Sequence, residues 1–261
     1  MDAAQISAAG ELLYDLWVTG RRIAELPPSL RPATRAEGYA IQAATERRSA
    51  SRLFGWKIAA TSAAGQAHIQ VDGPLAGRIL AERVIQDGGR CHLQGNRMRV
   101  AELEFAFRMS RTIAPRRRPY TTAEVLEQVA ALHPAIEVPD SRFEPFERAG
   151  IAQLIADNAC AHDFVLGSAA EEDWRAIDLG AHVVWGFLDD GPPLPGLGTN
   201  VLGDPRTALT WLVNELSRHN ITLHAGEIVT TGTCLTPIRI REGQRLRGDF
   251  GVLGTVCASF I

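Results

Sequence analysis

The feature that most constrains the fold of this 261-residue chain is a series of short apolar segments running from about residue 55 to the C-terminus. Each segment is typical of a strand, because it is rich in β-branched or aromatic residues and bounded by Gly, Pro, Asp or Asn. They are GWKIAATS, AGRIL, GRCHL, MRVAELEFAFRM, PAIEVP, DFVLG, AHVVWGFL, EIVTTGTCL, QRLRGDF and GTVCASFI. Helical segments interrupt them irregularly, which favours an α+β fold over a doubly wound sheet.

The helical patterns lie near the N-terminus and at two later points. AAGELLYDLWVTGRRIAEL has apolar residues at helical spacing, and Thr34 with Glu37 matches a capping box that starts a second helix. Thr121 opens a similar capping box, which predicts a helix over TTAEVLEQVAALH. DPRTALTWLVNELSRHN predicts a further helix, with Pro205 near its start and Asn220 at its C-terminus.

The length and texture of the chain predict one domain over residues 1–261, because no internal repeat or linker divides it. Residues 1–54 are expected to form a helical N-terminal portion, and residues 55–261 a β-rich catalytic core. A formal net charge of −3 gives no basic footprint for nucleic acid, so we expect no nucleic-acid partner.

The cysteine pattern and the hydropathy indicate a cytoplasmic protein. The four cysteines show no CxxC spacing, and we expect free thiols in a reducing compartment. The N-terminus has no basic region followed by an apolar run, and no segment approaches the roughly 18 apolar residues of a membrane helix. We therefore expect neither a signal peptide nor a membrane partner.

One strand segment, VAELEFAF, carries two carboxylates on one face. Side chains alternate along a strand, so Glu102 and Glu104 share a face while Leu103 and Phe105 point to the core. Their Cα atoms would lie about 6.7 Å apart, close enough for both carboxylates to reach one Mg²⁺, Mn²⁺ or Ca²⁺ ion. The competing interpretation is a strand with a solvated outer face, and this pattern alone favours it.

Further polar residues end or interrupt other apolar segments. Glu137 ends the segment PAIEVP, where a surface charge is the simpler explanation. Asp157 and Asn158 interrupt LIADNACAHDFVLG, and this dipeptide is common in turns. Asp140 and Arg142 follow Glu137 closely, and the two could also pair across a turn.

Two more segments have both a functional and a structural interpretation. Lys57, between Trp56 and Ile58, is either the protective charge of an edge strand or a cation that faces an anionic substrate. The run Thr230–Thr233 follows an apolar strand. Its hydroxyl groups and the amide of Gly232 suit a carboxylate, although an ordinary turn after a strand gives the same pattern.

Taken in order, these segments resemble the 2-keto-4-pentenoate hydratase / 4-oxalocrotonate decarboxylase family of the fumarylacetoacetate hydrolase-like superfamily. The matching stretches are GWKIAATS, VDGPLAG, RVAELEFAF, AIEVPDSR, IADNA with FVLG, LGDPRTALTWLVNEL, and LHAGEIVTTGTCLTP with GQRLRGDFGVLGTV. The resemblance covers the chain from about residue 55 onward. It implies a mixed β-roll like the C-terminal domain of fumarylacetoacetate hydrolase, with flanking helices and a helical N-terminal portion.

The resemblance also implies a divalent-metal-dependent lyase that acts on a small 2-oxo acid, with Mg²⁺ or Mn²⁺ as cofactor. Its metal ligands match Glu102, Glu104 and Glu137, and its catalytic residues match Lys57 and Glu82. The substrate-binding positions that it suggests are Gln66, Asp72, Asp157, Cys160, Thr231, Gly232 and Thr233. The implied partners are further copies of the chain, as a dimer or larger homo-oligomer, and a decarboxylase or aldolase of the same pathway.

The chain departs from the family pattern at two of these positions. The adjacent acids that many hydratases carry after PLAGRIL are Ala81 and Glu82 here, and the serine after ADNA is Cys160, whose thiol is a weaker hydrogen-bond partner. The leading hypothesis is a hydratase that converts 2-hydroxypenta-2,4-dienoate to 4-hydroxy-2-oxopentanoate in aromatic-compound catabolism. The alternatives are a 4-oxalocrotonate decarboxylase, a C–C hydrolase of acylpyruvates or fumarylacetoacetate-like diketones, and a non-catalytic subunit that stabilises a partner enzyme.

Overall fold

The computed structural model describes residues 1–261 and combines helices with two β-sheets. The α-helices are α1 (Ala3–Thr19), α2 (Arg35–Glu46), α3 (Ala63–His68), α4 (Thr122–Leu126), α5 (Ile151–Ala156) and α6 (Pro205–Arg218). The strands are β1 (Leu53–Ala59), β2 (Leu75–Leu80), β3 (Val84–Gln86), β4 (Arg90–Cys91), β5 (Val100–Met109), β6 (Val129–Val138), β7 (Asp163–Leu166), β8 (Val183–Leu188), β9 (Leu194–Leu197), β10 (Ile228–Thr233), β11 (Ile238–Arg239), β12 (Arg245–Asp249) and β13 (Thr255–Phe260). No helix combines the length and the apolar character needed to cross a membrane.

The larger sheet has the strand order β2-β1-β10-β5-β6-β7-β3, with β11 paired to β5. Its two end strands, β2 and β3, are separated in sequence only by the turn Ala81–Arg83, so the two edges lie close together and the sheet is curled. The second sheet has the order β4-β13-β12-β8-β9. Parallel pairs (β1 with β10, β3 with β7) occur beside antiparallel ones, which confirms the predicted mixed α+β class.

Both faces of the larger sheet are covered in its middle. One face of β5 packs Leu103, Phe105 and Phe107 into the main core, as the alternation predicts. On the opposite face, Ala106 belongs to a second, smaller apolar cluster together with Phe164. Since Ala106 follows Glu104 by two residues, this cluster lies on the glutamate face, and the interpretation of a solvated outer face is wrong.

Several predicted elements are confirmed and others need correction. The capping box of Thr34 begins α2, and the helix at Pro205 is α6. The helix predicted over TTAEVLEQVAALH ends at Leu126, and Val129 begins β6 instead, because the end of this segment pairs with β5. Helix α1 ends at Thr19, because the left-handed conformation of the following Gly20 stops it before RRIAEL. The sequence patterns did not reveal α3, α5, β3, β9 or β11.

Candidate metal and substrate site

The three predicted metal ligands come together on two neighbouring strands. In the antiparallel pairing of β5 with β6, Glu102 lies directly opposite Glu137. Glu104 lies two residues further along β5 on the same face. One carboxylate oxygen from each of the three side chains lies within 4.8 Å of the other two. This spacing lets a single hard cation contact all three carboxylates.

Two oxygens of this carboxylate cluster are buried without a hydrogen-bond partner. Glu104 is 0% exposed and Glu137 is 2% exposed, whereas Glu102 is partly exposed. Glu104 Oε2 accepts hydrogen bonds from the backbone N–H of Gly232, at 2.7 Å, and from the hydroxyl group of Thr230. Glu104 Oε1 and Glu137 Oε2 accept none. Buried carboxylate oxygens without a partner are costly in free energy. A ligand set made only of carboxylate oxygens fits Mg²⁺, Mn²⁺ or Ca²⁺ as the missing partner.

Lys57 is the cation of the cluster. Strand β1 lies between β2 and β10, so Lys57 is not on an edge strand, and that structural explanation is wrong. Its Nζ lies 3.0 Å from Glu137 Oε1 and donates a hydrogen bond of 3.0 Å to the carbonyl oxygen of Ala159. With the three glutamates ionised, one ammonium leaves the cluster with two uncompensated negative charges, the charge that a divalent cation balances.

Burial and mutual repulsion shift the pKa values of these groups. Burial, reinforced by Glu137, raises the pKa of Glu102 to about 7. Burial raises the pKa of Glu104 well above its ordinary value, and the other two carboxylates add to the shift. Burial alone would lower the pKa of Lys57, but the three carboxylates outweigh this effect and raise it above its ordinary value. The cluster therefore lacks positive charge.

The run Thr231–Thr233 lies beside Glu104 and shapes the cluster. The register between β10 and β5 shifts after Thr230, and Gly232 takes a φ of +98° that turns its N–H towards the Glu104 carboxylate. The hydroxyl groups of Thr231 and Thr233 donate to backbone carbonyl oxygens at 3.0 and 2.7 Å. These residues therefore support a metal ligand, and neither hydroxyl proton is free for a substrate carboxylate.

The predicted residues Asp157 and Cys160 flank a turn that reaches Lys57. Asp157 caps α5, and the next three residues, Asn158–Cys160, form a turn that carries the carbonyl oxygen bound by the ammonium. Both carboxylate oxygens of Asp157 are taken up by Arg142 and Ser141. Burial, together with the charge of Asp157, raises the pKa of the Cys160 thiol to about 12, so it stays a neutral group beside Lys57.

No hydrogen bond or ion pair joins Gln66, Asp72 or Glu82 to the carboxylate cluster. Gln66 lies on α3 and donates to the carbonyl oxygen of Ala60, and Asp72 has a side chain that is 87% exposed. Glu82 is exposed beyond the end of β2 and accepts a hydrogen bond from Ser49.

The strand register gives the reason for the position of Glu82. Lys57 pairs with Gly77 on β2, so Glu82 lies five residues further along the chain, a path on the order of 15 Å at the usual strand rise. The hydrogen bond that the Glu82 side chain makes is to Ser49 and not to Lys57 or the three glutamates. The catalytic role expected for Glu82 therefore has no support in this position.

Sequence reasoning missed several groups that hold the site together. The carbonyl oxygen of Ala159 contacts the Lys57 ammonium directly, and the side chain of Arg142 holds Asp157. The possible pairing of Asp140 with Arg142 is wrong, because Asp140 pairs with Arg22. The only signal for Arg142 was its place in AIEVPDSR, since its partner follows fifteen residues later on another element.

Comparison with solved structures identifies the class of fold. The chain superposes on 4-oxalocrotonate decarboxylase from Pseudomonas putida G7, complexed with magnesium and adipate, with a TM-score of 0.90 at 24% identity over 100% of this chain and 99% of that one. The chain therefore has the same fold as this decarboxylase. No protein-family model matches the chain.

Comparison with curated proteins gives the family. The chain is 32% identical to 2-keto-4-pentenoate hydratase 2 of Dechloromonas aromatica (strain RCB) over 97% of its length and 96% of that protein. It is 30% identical to the 2-keto-4-pentenoate hydratase of Burkholderia vietnamiensis (strain G4 / LMG 22486), covering 99% of this chain and 98% of that one. The chain belongs to the 2-keto-4-pentenoate hydratase family, a family of hydro-lyases.

Proposed function

We propose that this protein is a divalent-metal-dependent hydratase that converts 2-hydroxypenta-2,4-dienoate to 4-hydroxy-2-oxopentanoate in aromatic-compound catabolism. The observation that carries the proposal is the pair of partnerless buried oxygens on Glu104 and Glu137, within a carboxylate cluster that lacks positive charge. The hydratases to which the chain is related act on substrates of this class, according to their names.

In this proposal Glu102, Glu104 and Glu137 hold one Mg²⁺ or Mn²⁺ ion. When bound, the ion supplies Lewis-acid stabilisation of negative charge on the 2-oxygen of the substrate. Gly232 and Thr230 fix the Glu104 carboxylate so that its second oxygen faces the cluster. The partly exposed Glu102 marks the side from which the substrate approaches.

Lys57 binds the substrate through its ammonium group. An ammonium has three N–H donors, and Ala159 and Glu137 take up two of them. The third is available for a carboxylate or 2-oxygen of the substrate. The net reaction moves the enol proton to C5 and adds the hydroxyl group of water at C4 and its proton at C3, so that no atom is lost.

The charge of the site favours a hydratase over a decarboxylase. A divalent ion balances the cluster, and one substrate carboxylate can then contact Lys57. 4-Oxalocrotonate carries a second carboxylate, which needs another cation. Arg142 is close enough to Cys160 for its charge to lower the pKa of that thiol. Its guanidinium is already bound to Asp157 and to the carbonyl oxygen of Ala161, so it is not free for a second substrate carboxylate. The second candidate function, decarboxylation, therefore has weaker support.

One assay tests the proposal. The purified protein is incubated with Mg²⁺ or Mn²⁺ and, separately, with 2-hydroxypenta-2,4-dienoate, 4-oxalocrotonate and an acylpyruvate, while the ultraviolet absorbance of each is followed. We expect loss of the dienoate only. Carbon dioxide released from 4-oxalocrotonate would favour the decarboxylase, and cleavage of the acylpyruvate would favour the hydrolase. No turnover of any of them by metal-loaded protein would refute the proposed reaction.

Several finer predictions stay predictions. They are the single-domain organisation, the β-roll description of the curled sheet, a homo-oligomeric assembly, association with a pathway decarboxylase or aldolase, and a cytoplasmic location. Size-exclusion chromatography with light scattering tests the assembly. Titration with Mg²⁺ and Mn²⁺ in parallel tests which ion the site prefers.

A further inference from the structure

We propose that Arg142 and Asp157 are positioning residues for the Lys57 ammonium. They act by holding the turn Asn158–Cys160, whose central carbonyl oxygen binds that ammonium. The inference rests on the proposed function, in which Lys57 contacts the substrate. It also reassigns Asp157, which sequence resemblance places among the substrate-binding residues.

The turn Asn158–Cys160 has an uncommon backbone. Its three residues have φ values of +53°, +49° and +63°, all in the left-handed region. None of them is glycine, and L-residues occupy this region at a cost in conformational energy, normally one at a time. Three consecutive left-handed residues therefore need contacts from the rest of the protein to hold them.

Arg142 supplies these contacts from both sides of the turn. Before the turn, its guanidinium donates to a carboxylate oxygen and to the backbone carbonyl oxygen of Asp157. After the turn, Nη1 donates to the carbonyl oxygen of Ala161 at 3.0 Å. Both side chains are nearly inaccessible, at 4% and 0% exposure for Arg142 and Asp157. The planar, forked guanidinium thus bridges the two ends of the turn.

Strand β2 closes the turn from the other side. Gly77 is the partner of Lys57 in the sheet, and a Cβ atom at Gly77 would lie 2.0 Å from the carbonyl oxygen of Asn158. The turn is therefore held between β2 and the Arg142 side chain. This contact places the carbonyl oxygen of Ala159 at 3.0 Å from Lys57 Nζ.

Loss of the Arg142 contacts would release the Ala159 carbonyl oxygen from Lys57. The ammonium would then keep Glu137 as its main partner and lose the direction of its third N–H. The carboxylates themselves lie on β5 and β6, so their geometry does not depend on the turn. We therefore expect substrate contacts to weaken while metal binding is retained.

A double-mutant cycle tests this inference, because residues that act through one another have non-additive effects. The variants are Arg142→Lys, Asp157→Asn, Lys57→Met, and the double variant Arg142→Lys with Lys57→Met. Arg142→Lys keeps the positive charge but loses the planar set of N–H donors of the guanidinium. Glu215→Gln is the matched control: Glu215 is also buried and pairs with Arg35, but on α6. The measurements are kcat, Mn²⁺ affinity, thermal stability, and the affinity of the Mn²⁺-loaded protein for oxalate, a non-reacting 2-oxo acid analogue.

We expect Lys57→Met to lower kcat about 100-fold, because it removes a charged donor. Arg142→Lys should lower kcat about tenfold, because it only loosens the position of that donor. Both single changes weaken oxalate binding, and Mn²⁺ affinity stays within about twofold for Arg142→Lys. The double variant is no worse than Lys57→Met alone. Glu215→Gln lowers stability but leaves kcat and oxalate affinity unchanged.

Multiplied losses in the double variant, or an Arg142→Lys protein that loses only stability as the control does, would overturn the positioning role. The oxalate measurement keeps this test separate from the proposed reaction. If the wild-type protein does not hydrate the dienoate but the oxalate cycle is non-additive, the proposed function fails and the positioning role stands.

Discussion

Glu102 and Glu137 face each other directly across the β5–β6 ladder, and each of these strands places its glutamate on the same face of the sheet. Like charges directly opposite in a sheet repel each other. The pKa of Glu102, raised to about 7 by burial and by Glu137, reports this repulsion. The pairing is unfavourable without a cation, and a cation held by both carboxylates would remove this penalty.

The effect of Glu102→Gln on stability should therefore depend on whether metal is present. At pH 8.5 and without metal, Glu102→Gln should raise the free energy of unfolding by about 1 kcal/mol, because it removes one cross-strand repulsion. With Mg²⁺ or Mn²⁺, the same variant should show no rise in melting temperature, whereas the wild-type protein should show one. Glu82→Gln, an exposed glutamate away from the cluster, is the control and should change neither value. A metal-free Glu102→Gln protein that is less stable than wild type would contradict this.

A second prediction concerns the bulge that directs an amide to Glu104. Gly232→Ala should lower the free energy of unfolding by about 2 kcal/mol or more and weaken metal binding, because φ is +98° and the new Cβ would lie 2.2 Å from Thr61 Oγ1. Gly226→Ala is the matched control, with φ of +85° but no atom within 4 Å. It should cost about 1 kcal/mol and leave metal affinity unchanged. Urea unfolding and Mn²⁺ titration measure both, and equal effects of the two changes would argue against the amide's role.

A third prediction concerns pH and His162. Burial, with the charges of three arginines, lowers the pKa of His162 to about 2, and its Nδ1 accepts a hydrogen bond of 2.8 Å from Trp17 Nε1. In the unfolded chain the pKa is near 6.5, so the unfolded state binds more protons as the pH falls below that value. The contribution of His162 to the free energy of unfolding should thus be fully present above pH 6.5. It should decline below that pH, by roughly 1 kcal/mol at pH 5.5.

The variant His162→Asn tests this, because it keeps an acceptor for Trp17 and removes the titrating ring. Its free energy of unfolding should fall less between pH 7.5 and 5.5 than that of the wild-type protein. His68→Gln changes an exposed histidine and should leave the pH dependence as it is. Parallel pH curves for His162→Asn and wild type would contradict this, because they would show that His162 takes up its proton equally in the folded and unfolded states.

A fourth prediction concerns thiol reactivity. The thiolate is the reactive form, and burial raises the pKa of Cys91 and of Cys160 to about 12 and that of Cys234 well above its ordinary value. Cys257 is the one cysteine that is partly exposed. Iodoacetamide should therefore modify Cys257 alone in the native protein, as read by mass spectrometry, and Cys257→Ser should abolish the labelling. Labelling of Cys160 in folded protein would contradict the closed turn.

Local sequence signals predicted the parts of this fold that local physics determines. Capping boxes located the starts of α2 and α4, and strict alternation gave the two faces of β5. The same alternation put Glu102 and Glu104 on one face, but it could not reveal that Ala106 and Phe164 cover that face further along. The predicted length of α4 was wrong because pairing with β5, which lies outside the segment, decides where β6 begins.

The candidate site shows the same division. The carboxylates were predictable because each ends or interrupts an apolar strand. The family resemblance then assigned all three to one metal site. The Arg142–Asp157 pair was not, since its geometry depends on a left-handed turn that non-glycine residues rarely adopt. The position of Glu82 relative to Lys57 was also not predictable, because it follows from the register of β1 with β2, which the sequence alone does not fix.

We propose that Glu102, Glu104 and Glu137 together hold one divalent cation. The most direct measurement is calorimetric titration of the metal-stripped protein with Mn²⁺, in parallel with Glu104→Gln and Glu137→Gln. We predict one ion per wild-type chain and no binding by either variant at micromolar metal, because each change removes a charged oxygen ligand from the dication. Mn²⁺ binding of unchanged stoichiometry and affinity in both variants would contradict the site.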